Sequence, residues 1–141
     1  MPSRHRSRER ALQVLFQWDL RRLPLDEAID AYYGSLMRED DEIEVVPRPD
    51  PFMEELVRQT VSRLEEIDNH IQKHSEHWRL ERMPVVDRNI IRLAVSELLI
   101  LPTPAAVVID EALELARRFS GDESVPFVNG VLDAVKREVK P

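Results

Sequence analysis

The sequence predicts an all-α protein of about seven helices, and two observations carry that prediction. Apolar residues recur at spacings of three and four along most of the chain, which is the period of a helix with one buried face. The chain has only 3 glycines in 141 residues, too few for the tight turns of a β-sandwich or β-barrel. Because we find no linker and no internal repeat, residues 1–141 are interpreted as one helical domain, large enough to bury a real core.

The first two helices are predicted from apolar spacing and from proline. Apolar side chains at positions 11, 14, 15 and 18 form one helical stripe, and this helix is expected to end near Leu23 because a proline follows. A second, shorter helix is predicted from Leu25 to Leu36, with acids in its first turn. Residues 38–50 are interpreted as an exposed loop that is rich in acids and prolines.

Five further helices are predicted in the rest of the chain. Asp50 is expected to cap the first of them, with Pro51 at its first position, and a helix from about Ile67 to Trp78 follows. Pro84 opens a helix that is apolar nearly all round, so we expect this helix in the middle of a bundle. The last two helices are expected to begin at Pro104 and near Pro126.

Composition narrows the classes of function. There is no cysteine, which excludes disulfides, thiolate zinc sites and a cysteine nucleophile, and a reducing cytoplasm is the expected location. The basic start is not followed by the apolar stretch of a signal peptide, and no apolar run is long enough to span a bilayer. There is no Gly-rich phosphate loop, no G-x-S-x-G motif and no obvious catalytic carboxylate pair. We therefore expect neither catalysis nor a cofactor.

Four arginines open the chain, although the whole protein is acidic, with a formal net charge of -7. Residues 1–10, here called the arginine arm, hold these arginines and one glutamate, a local charge of +3. Guanidinium groups bind phosphate bidentately and stack on bases, so the arm suits nucleic acid. On a helix, Arg4 and Arg8 would share one face, and Arg6 and Arg10 another. The alternative is a frayed, solvated terminus.

Histidines at positions 70, 74 and 77 share one face of a predicted helix, a spacing that can ligate zinc. No carboxylate base is placed as in the H-E-x-x-H motif of zinc proteases. Helical histidines outside such motifs are usually half-buried or on the surface. We therefore interpret His70, His74 and His77 as ordinary surface or half-buried residues and expect no metal site.

The segment FVNG, residues 127–130, places an aromatic ring near a helix start and a glycine inside the helix. A glycine there costs about 1 kcal/mol relative to alanine, which suggests that another helix or a ligand approaches Gly130 closely. Tight helix packing is the plainer interpretation. A second interpretation of the segment concerns Phe127, because an aromatic side chain at a helix start can stack on an unpaired base.

Four segments together resemble the NusB family of transcription antitermination factors: RALQVLFQWDL, VDRNIIRLAVSELL, VIDEALELARRFS and FVNGVLD. The resemblance is collinear and covers nearly the whole chain. It implies an all-helical fold of two three-helix bundles set against each other. It also implies binding of boxA RNA together with the small-subunit ribosomal protein NusE. In that family the complex helps RNA polymerase to read through terminators, chiefly in ribosomal RNA operons.

The resemblance also implies the site residues. The arginine arm corresponds to the family's Arg-rich RNA-binding motif, and further RNA contacts are implied on the first helix and near the start of the last. The RNA-binding residues so implied are Arg4, Arg6, Arg8, Arg10, Gln13, Phe16, Glu123 and Phe127. Asp87 matches an acidic position near the bound partners. Ala106 and Pro126 stand where relatives carry lysine, so this RNA surface is expected to be less basic at those points.

Two other functions are compatible with the same resemblance. One is a protein-interaction bundle without RNA binding. The other is the NusB-like domain that precedes an S-adenosylmethionine-dependent RNA methyltransferase domain, which we disfavour because this chain ends eight residues after FVNGVLD. The oligomeric state stays open, since some family members form homodimers that cover the RNA surface and others are monomers.

Overall fold

The computed structural model describes residues 3–39, 49–75 and 78–140. Within these ranges it contains seven α-helices, a short 3-10 turn at Leu80–Arg82 and no strand, which confirms the all-α prediction. The helices are α1 (Arg4–Arg21), α2 (Leu25–Glu39), α3 (Pro51–Ser62), α4 (Leu64–Lys73), α5 (Val85–Ile100), α6 (Ala105–Phe119) and α7 (Ser124–Val139). None of the described helices is long and apolar enough to cross a membrane.

The helices form two three-helix bundles set against each other, as the family resemblance implies. One bundle consists of α1, α2 and α3, and the other of α5, α6 and α7. Helix α5 contacts α1 and α3 of the first bundle as well as α4, α6 and α7. Every residue from 89 to 98 is buried, which confirms the prediction that the helix with apolar residues nearly all round lies in the middle.

Helix α1 includes most of the arginine arm, because Ser3 caps its start. The Ser3 hydroxyl accepts a hydrogen bond from the Arg6 backbone N–H at 3.1 Å. A capping hydroxyl typically stabilises a helix start by about 1 kcal/mol. From Arg4 onward the arm is therefore helical and is not a frayed tail, so each of its arginines has a defined direction.

Helix α4 ends at Lys73, before the predicted end at Trp78. The side chain of Gln72 explains the early end, because its Nε2 donates to the Trp78 carbonyl at 3.2 Å and its Oε1 accepts from the Leu80 N–H at 3.0 Å. These bonds replace backbone hydrogen bonds that a longer helix would make itself. His77 and most of the predicted acidic loop at 38–50 lie outside the described residues.

A partly buried polar network holds α1 and α4 against α5. The Arg92 guanidinium donates to both carboxylate oxygens of Asp68, at 2.9 and 3.0 Å, and to Asp19 at 3.1 Å. The same Asp19 oxygen accepts from Arg88 at 2.8 Å and from the Asn89 amide at 3.0 Å. Because Asp19 lies on α1, the network sets the rotation of α1 and so decides which of its side chains face outward.

Candidate nucleic-acid interface

Arg4 and Arg6 are the exposed members of the arginine arm. The Arg4 guanidinium carbon lies 4.6 Å from the ring centre of Phe52 on α3, a cation–π contact at the surface. Arg6 lies about 200° further round the helix. Its Nη1 donates to Glu9 Oε2 at 2.8 Å, and 47% of its side chain is exposed. The two arginines therefore present positive charge on two sides of the α1 start.

Arg8 is buried, which corrects the expectation that it faces phosphate. Its Nε and Nη2 donate to the two carboxylate oxygens of Glu97 on α5, at 2.8 and 2.6 Å. Only 8% of the Arg8 side chain and 3% of the Glu97 side chain are exposed. The hydrogen bond to Glu97 also raises the pKa of Arg8. The helical period explains the burial, since it places Arg8 on the same stripe as the core residues Leu12 and Leu15.

Arg10 is half-buried beside the start of α3. Its Nη1 lies 3.5 Å from Asp50 Oδ2, and 19% of its side chain is exposed. Asp50 already accepts hydrogen bonds from the Ser7 hydroxyl at 2.8 Å and from the Met53 backbone N–H at 3.1 Å. The Nε of Arg10 is buried and has no hydrogen-bond partner among the described residues. Arg10 is therefore held less firmly than Arg8.

Glu9 pairs with three basic side chains between α1 and α6. The sequence did not predict this cluster. Its Oε2 accepts from Arg6, and its Oε1 accepts from Arg118 on the last turn of α6. His5 Nε2 lies 3.2 Å from the same Oε1. Only 3% of Glu9 is exposed, against 60% of Arg118. His5 Nδ1 also lies 2.6 Å from Glu111 Oε2, and this hydrogen bond raises the pKa of His5.

Gln13 and Phe16 line a groove on the outer side of α1. Helix α2 lines one side of the groove through Tyr32 and its neighbours, and Val86 and Phe119 line the other. The groove has a volume of ≈ 890 Å³, within the range of sites that hold small ligands. The structure thus brings together two of the residues that the resemblance implies. It adds Phe119, the last residue of α6.

Asp87, which the resemblance implies near the bound partners, is buried where α5 meets the junction of α6 and α7. Its Oδ1 accepts from the Ser120 hydroxyl, and its Oδ2 accepts from the Ser124 hydroxyl at 3.0 Å. Only 4% of the residue is exposed. Ser120 follows α6 and Ser124 begins α7. Asp87 therefore positions the first turn of α7, which carries Phe127.

Glu123 and Phe127 lie at this junction. Glu123 is exposed directly before α7, and its carboxylate oxygens lie 2.9 and 3.0 Å from where a Cβ at Gly121 would stand. Gly121 has a φ of +140°, a conformation that glycine adopts without a side-chain clash. Phe127 is half-buried and packs against the core, so it has both an internal and an exposed surface.

Gly130 does not lie at a close helix contact, so the interpretation of tight packing at this residue is wrong. A Cβ added at Gly130 would meet no heavy atom within 4 Å. The residue is exposed on α7. The helical period turns residue 130 away from the apolar stripe of Val128, Val131 and Leu132, which is buried.

His70 and His74 pair with Glu138 on α7. Glu138 accepts from Lys73 Nζ at 2.8 Å and lies 2.6 Å from His74 Nε2 and 3.6 Å from His70 Nδ1. The Lys73 hydrogen bond, with that of His74, lowers the pKa of Glu138 to about 2. In the part of the chain that the structure describes, no group of three such side chains is arranged to hold a metal ion. The cluster ties α4 to α7.

The family model that matches the chain is that of the NusB family, over residues 5–137. The transcription antitermination protein NusB of Solibacter usitatus is 59% identical over 139 residues, covering 99% of this chain and 92% of that protein. The protein of the same name from Koribacter versatilis is 49% identical over 138 residues, covering 97% of this chain and 90% of that protein.

Solved structures show the same fold. A structure of T. maritima NusB superposes with a TM-score of 0.83 at 34% identity, covering 99% of this chain and 94% of that one. A crystal structure of the antitermination factors NusB and NusE in complex with dsRNA superposes with a TM-score of 0.79 at 30% identity. The second match covers 97% of this chain and 99% of that one.

Proposed function

The chain belongs to the NusB family, and from that premise we propose that it is an RNA-binding transcription antitermination factor that acts with ribosomal protein NusE. Its RNA target is the boxA element, chiefly of ribosomal RNA operons, and the complex acts on RNA polymerase in the cytoplasm. One observation carries the proposal: the exposed arginines at the α1 start and the groove around Phe16 lie on the same helix, next to the α6–α7 junction. The related NusB structure in complex with NusE and dsRNA supports it.

Two groups of residues have different roles in RNA binding: one contacts phosphates and the other contacts bases. Arg4, Arg6 and Arg10 bind backbone phosphates, which positions an RNA strand without reading its sequence. Gln13 and Phe16 in the groove, and Glu123 and Phe127 at the junction, then contact bases through hydrogen bonds and stacking. Arg8 takes no part, because Glu97 occupies the Nε–Nη2 edge of its guanidinium and the side chain is buried.

The electrostatics explain why a second protein is needed. The chain carries a formal net charge of -7, and few of its basic side chains face the RNA. Three phosphate contacts on a single strand give a log–log salt slope of only about -2, which corresponds to weak binding at physiological salt. NusE supplies further contacts, and each ligand then tightens the binding of the other by the same factor.

Transcription by purified RNA polymerase tests the proposal. The template carries a boxA sequence upstream of a terminator, and the control template carries the same bases in scrambled order. Addition of this protein together with NusE is expected to raise the fraction of readthrough transcripts on the boxA template alone. Equal readthrough on both templates would contradict the proposal.

A pair of matched variants links the readthrough to the surface. Arg4→Gln with Arg6→Gln is expected to abolish the gain, because both side chains bind phosphate. Arg63→Gln with Arg137→Gln removes the same charge from side chains that are 45% and 77% exposed elsewhere on the surface, and it is expected to leave readthrough unchanged. If the Arg4/Arg6 pair kept full readthrough, the protein would act as an interaction bundle without RNA contacts.

A further inference from the structure

We propose that Arg6 and Arg118, both held by the buried carboxylate of Glu9, form a composite site for one backbone phosphate of the RNA. The inference deepens the proposed function and rests on it. The site joins two helices that are far apart in sequence, since Arg6 lies on α1 and Arg118 on the last turn of α6. Neither Glu9 nor Arg118 belongs to the RNA-binding residues that the family resemblance implies.

The geometry of Glu9 supports a positioning role. Its two carboxylate oxygens each hold a different guanidinium, Oε2 that of Arg6 at 2.8 Å and Oε1 that of Arg118. The carboxylate itself is 3% exposed, while the two arginine side chains are 47% and 60% exposed. A buried anion thus fixes two cations at the surface, where their other N–H groups have no hydrogen-bond partner among the described residues.

The charge of this unit suits a phosphate. Two guanidinium groups and one carboxylate sum to +1, which one phosphodiester neutralises. Each guanidinium has five N–H donors in a planar fork, and the bond to Glu9 occupies only part of the fork. The nearby acid Glu111 is paired with His5 at 2.6 Å, which reduces its repulsion of an incoming phosphate.

The position of the unit adds to the argument. The Arg118 guanidinium carbon lies 5.2 Å from the ring centre of Phe119, and Phe119 lines the groove that also holds Gln13 and Phe16. The composite site therefore connects the arginines of α1 to the groove and to the α6–α7 junction. An RNA strand that runs along this surface from the α1 arginines to the α6–α7 junction therefore passes the composite site.

Arg118→Gln tests the site directly. Glutamine keeps a hydrogen-bond donor for Glu9 but removes the charge, and Arg118 is exposed, so the fold is expected to persist. Arg4, Arg10 and the composite site neutralise three phosphates, so the wild-type salt slope is about -2 on single-stranded RNA. The variant leaves the composite site without net charge and should show about -1.4. Its affinity for boxA RNA and for scrambled RNA should fall by similar factors. The ratio of wild-type affinity to variant affinity should fall about threefold when the salt concentration is raised from 50 to 200 mM.

Arg117→Gln is the matched control. Arg117 lies next to Arg118 and is 49% exposed, but it pairs with Glu114 on its own helix and not with α1. Its loss should leave the salt slope unchanged. Arg118→Lys restores the charge and should restore the slope.

Glu9→Gln separates positioning from charge, because the two effects have opposite signs. This change makes the protein less acidic, so charge alone would tighten RNA binding. If Glu9 positions the two arginines, the variant should instead bind RNA more weakly at low salt. Thermal unfolding of each variant shows whether the fold is kept, and Arg118→Gln decides the question if Glu9→Gln does not fold.

The outcomes distinguish this inference from the proposed function. If the wild type binds boxA RNA with NusE but Arg118→Gln keeps the wild-type slope, the composite site is wrong and the proposed function stands. An equal effect of Arg117→Gln would also overturn the site, because the effect would then be general charge. If the wild type binds no RNA under any condition, both proposals fall.

Discussion

The pair of Arg8 with Glu97 provides a sharp prediction, because a sequence comparison and the structure assign Arg8 opposite roles. The two side chains form a bidentate pair at 2.8 and 2.6 Å and are 8% and 3% exposed. Removing one partner of such a buried pair leaves an uncompensated charge and typically costs about 3–5 kcal/mol. For a chain of this length that corresponds to a fall in Tm of about 9–15 °C.

A double-mutant cycle measures the coupling. Arg8→Met and Glu97→Met should each lower the free energy of unfolding by about 3–5 kcal/mol, whereas the double variant leaves no buried charge and should cost less than either single change. Urea unfolding of the four proteins gives the free energies. The double variant is the one to use for RNA binding, because it keeps the most stable fold of the three.

RNA binding then decides the role of Arg8. Because Arg8 does not face solvent, the double variant should keep the wild-type salt slope for RNA. A small change in stability for Arg8→Met, together with a salt slope flattened by about 0.7, would refute the reasoning and make Arg8 a phosphate contact.

Three further predictions concern other parts of the surface. Phe127→Leu keeps an apolar side chain against the core but removes the ring, so RNA binding should weaken by about 1–3 kcal/mol while Tm falls little; an intact affinity would remove Phe127 from the RNA surface. Gly130→Ala should raise stability by about 0.5–1 kcal/mol in thermal unfolding, because a Cβ there meets nothing within 4 Å; a loss of stability would contradict this. The raised pKa of His5, caused first by the Glu111 hydrogen bond, gives stability that is present below pH 6.5 and lost as pH rises through the folded-state pKa. His5→Gln should therefore lower unfolding free energy more at acidic than at alkaline pH, and a pH-independent difference would count against the pairing.

The fold could be predicted from the sequence because its signals are local. Helix starts followed from Asp50 with Pro51 and from Pro84 and Pro104, and the apolar α5 followed from its composition. The end of α4 was missed because it depends on the Gln72 side chain, which bonds to a segment that α4 does not include.

The site was less predictable, because the direction of each side chain depends on contacts between distant helices. Arg8 and Arg6 look alike in the sequence, but Arg8 pairs with Glu97 on α5 and is buried, whereas Arg6 pairs with the buried Glu9 and is itself exposed. The burial of Arg8 had a detectable signal, since it falls on the apolar stripe of α1. The contact of Arg118 with Glu9 spans 109 positions and had none.

The affinity of the wild-type protein for boxA RNA, measured with and without purified NusE and against a scrambled RNA of equal length, tests the account most directly. We predict weak binding of both RNAs by the protein alone, and a gain on adding NusE of about 5–150-fold for boxA that is much smaller for the scrambled RNA. Equal affinity for the two RNAs in the presence of NusE, or no gain from NusE, would contradict the account.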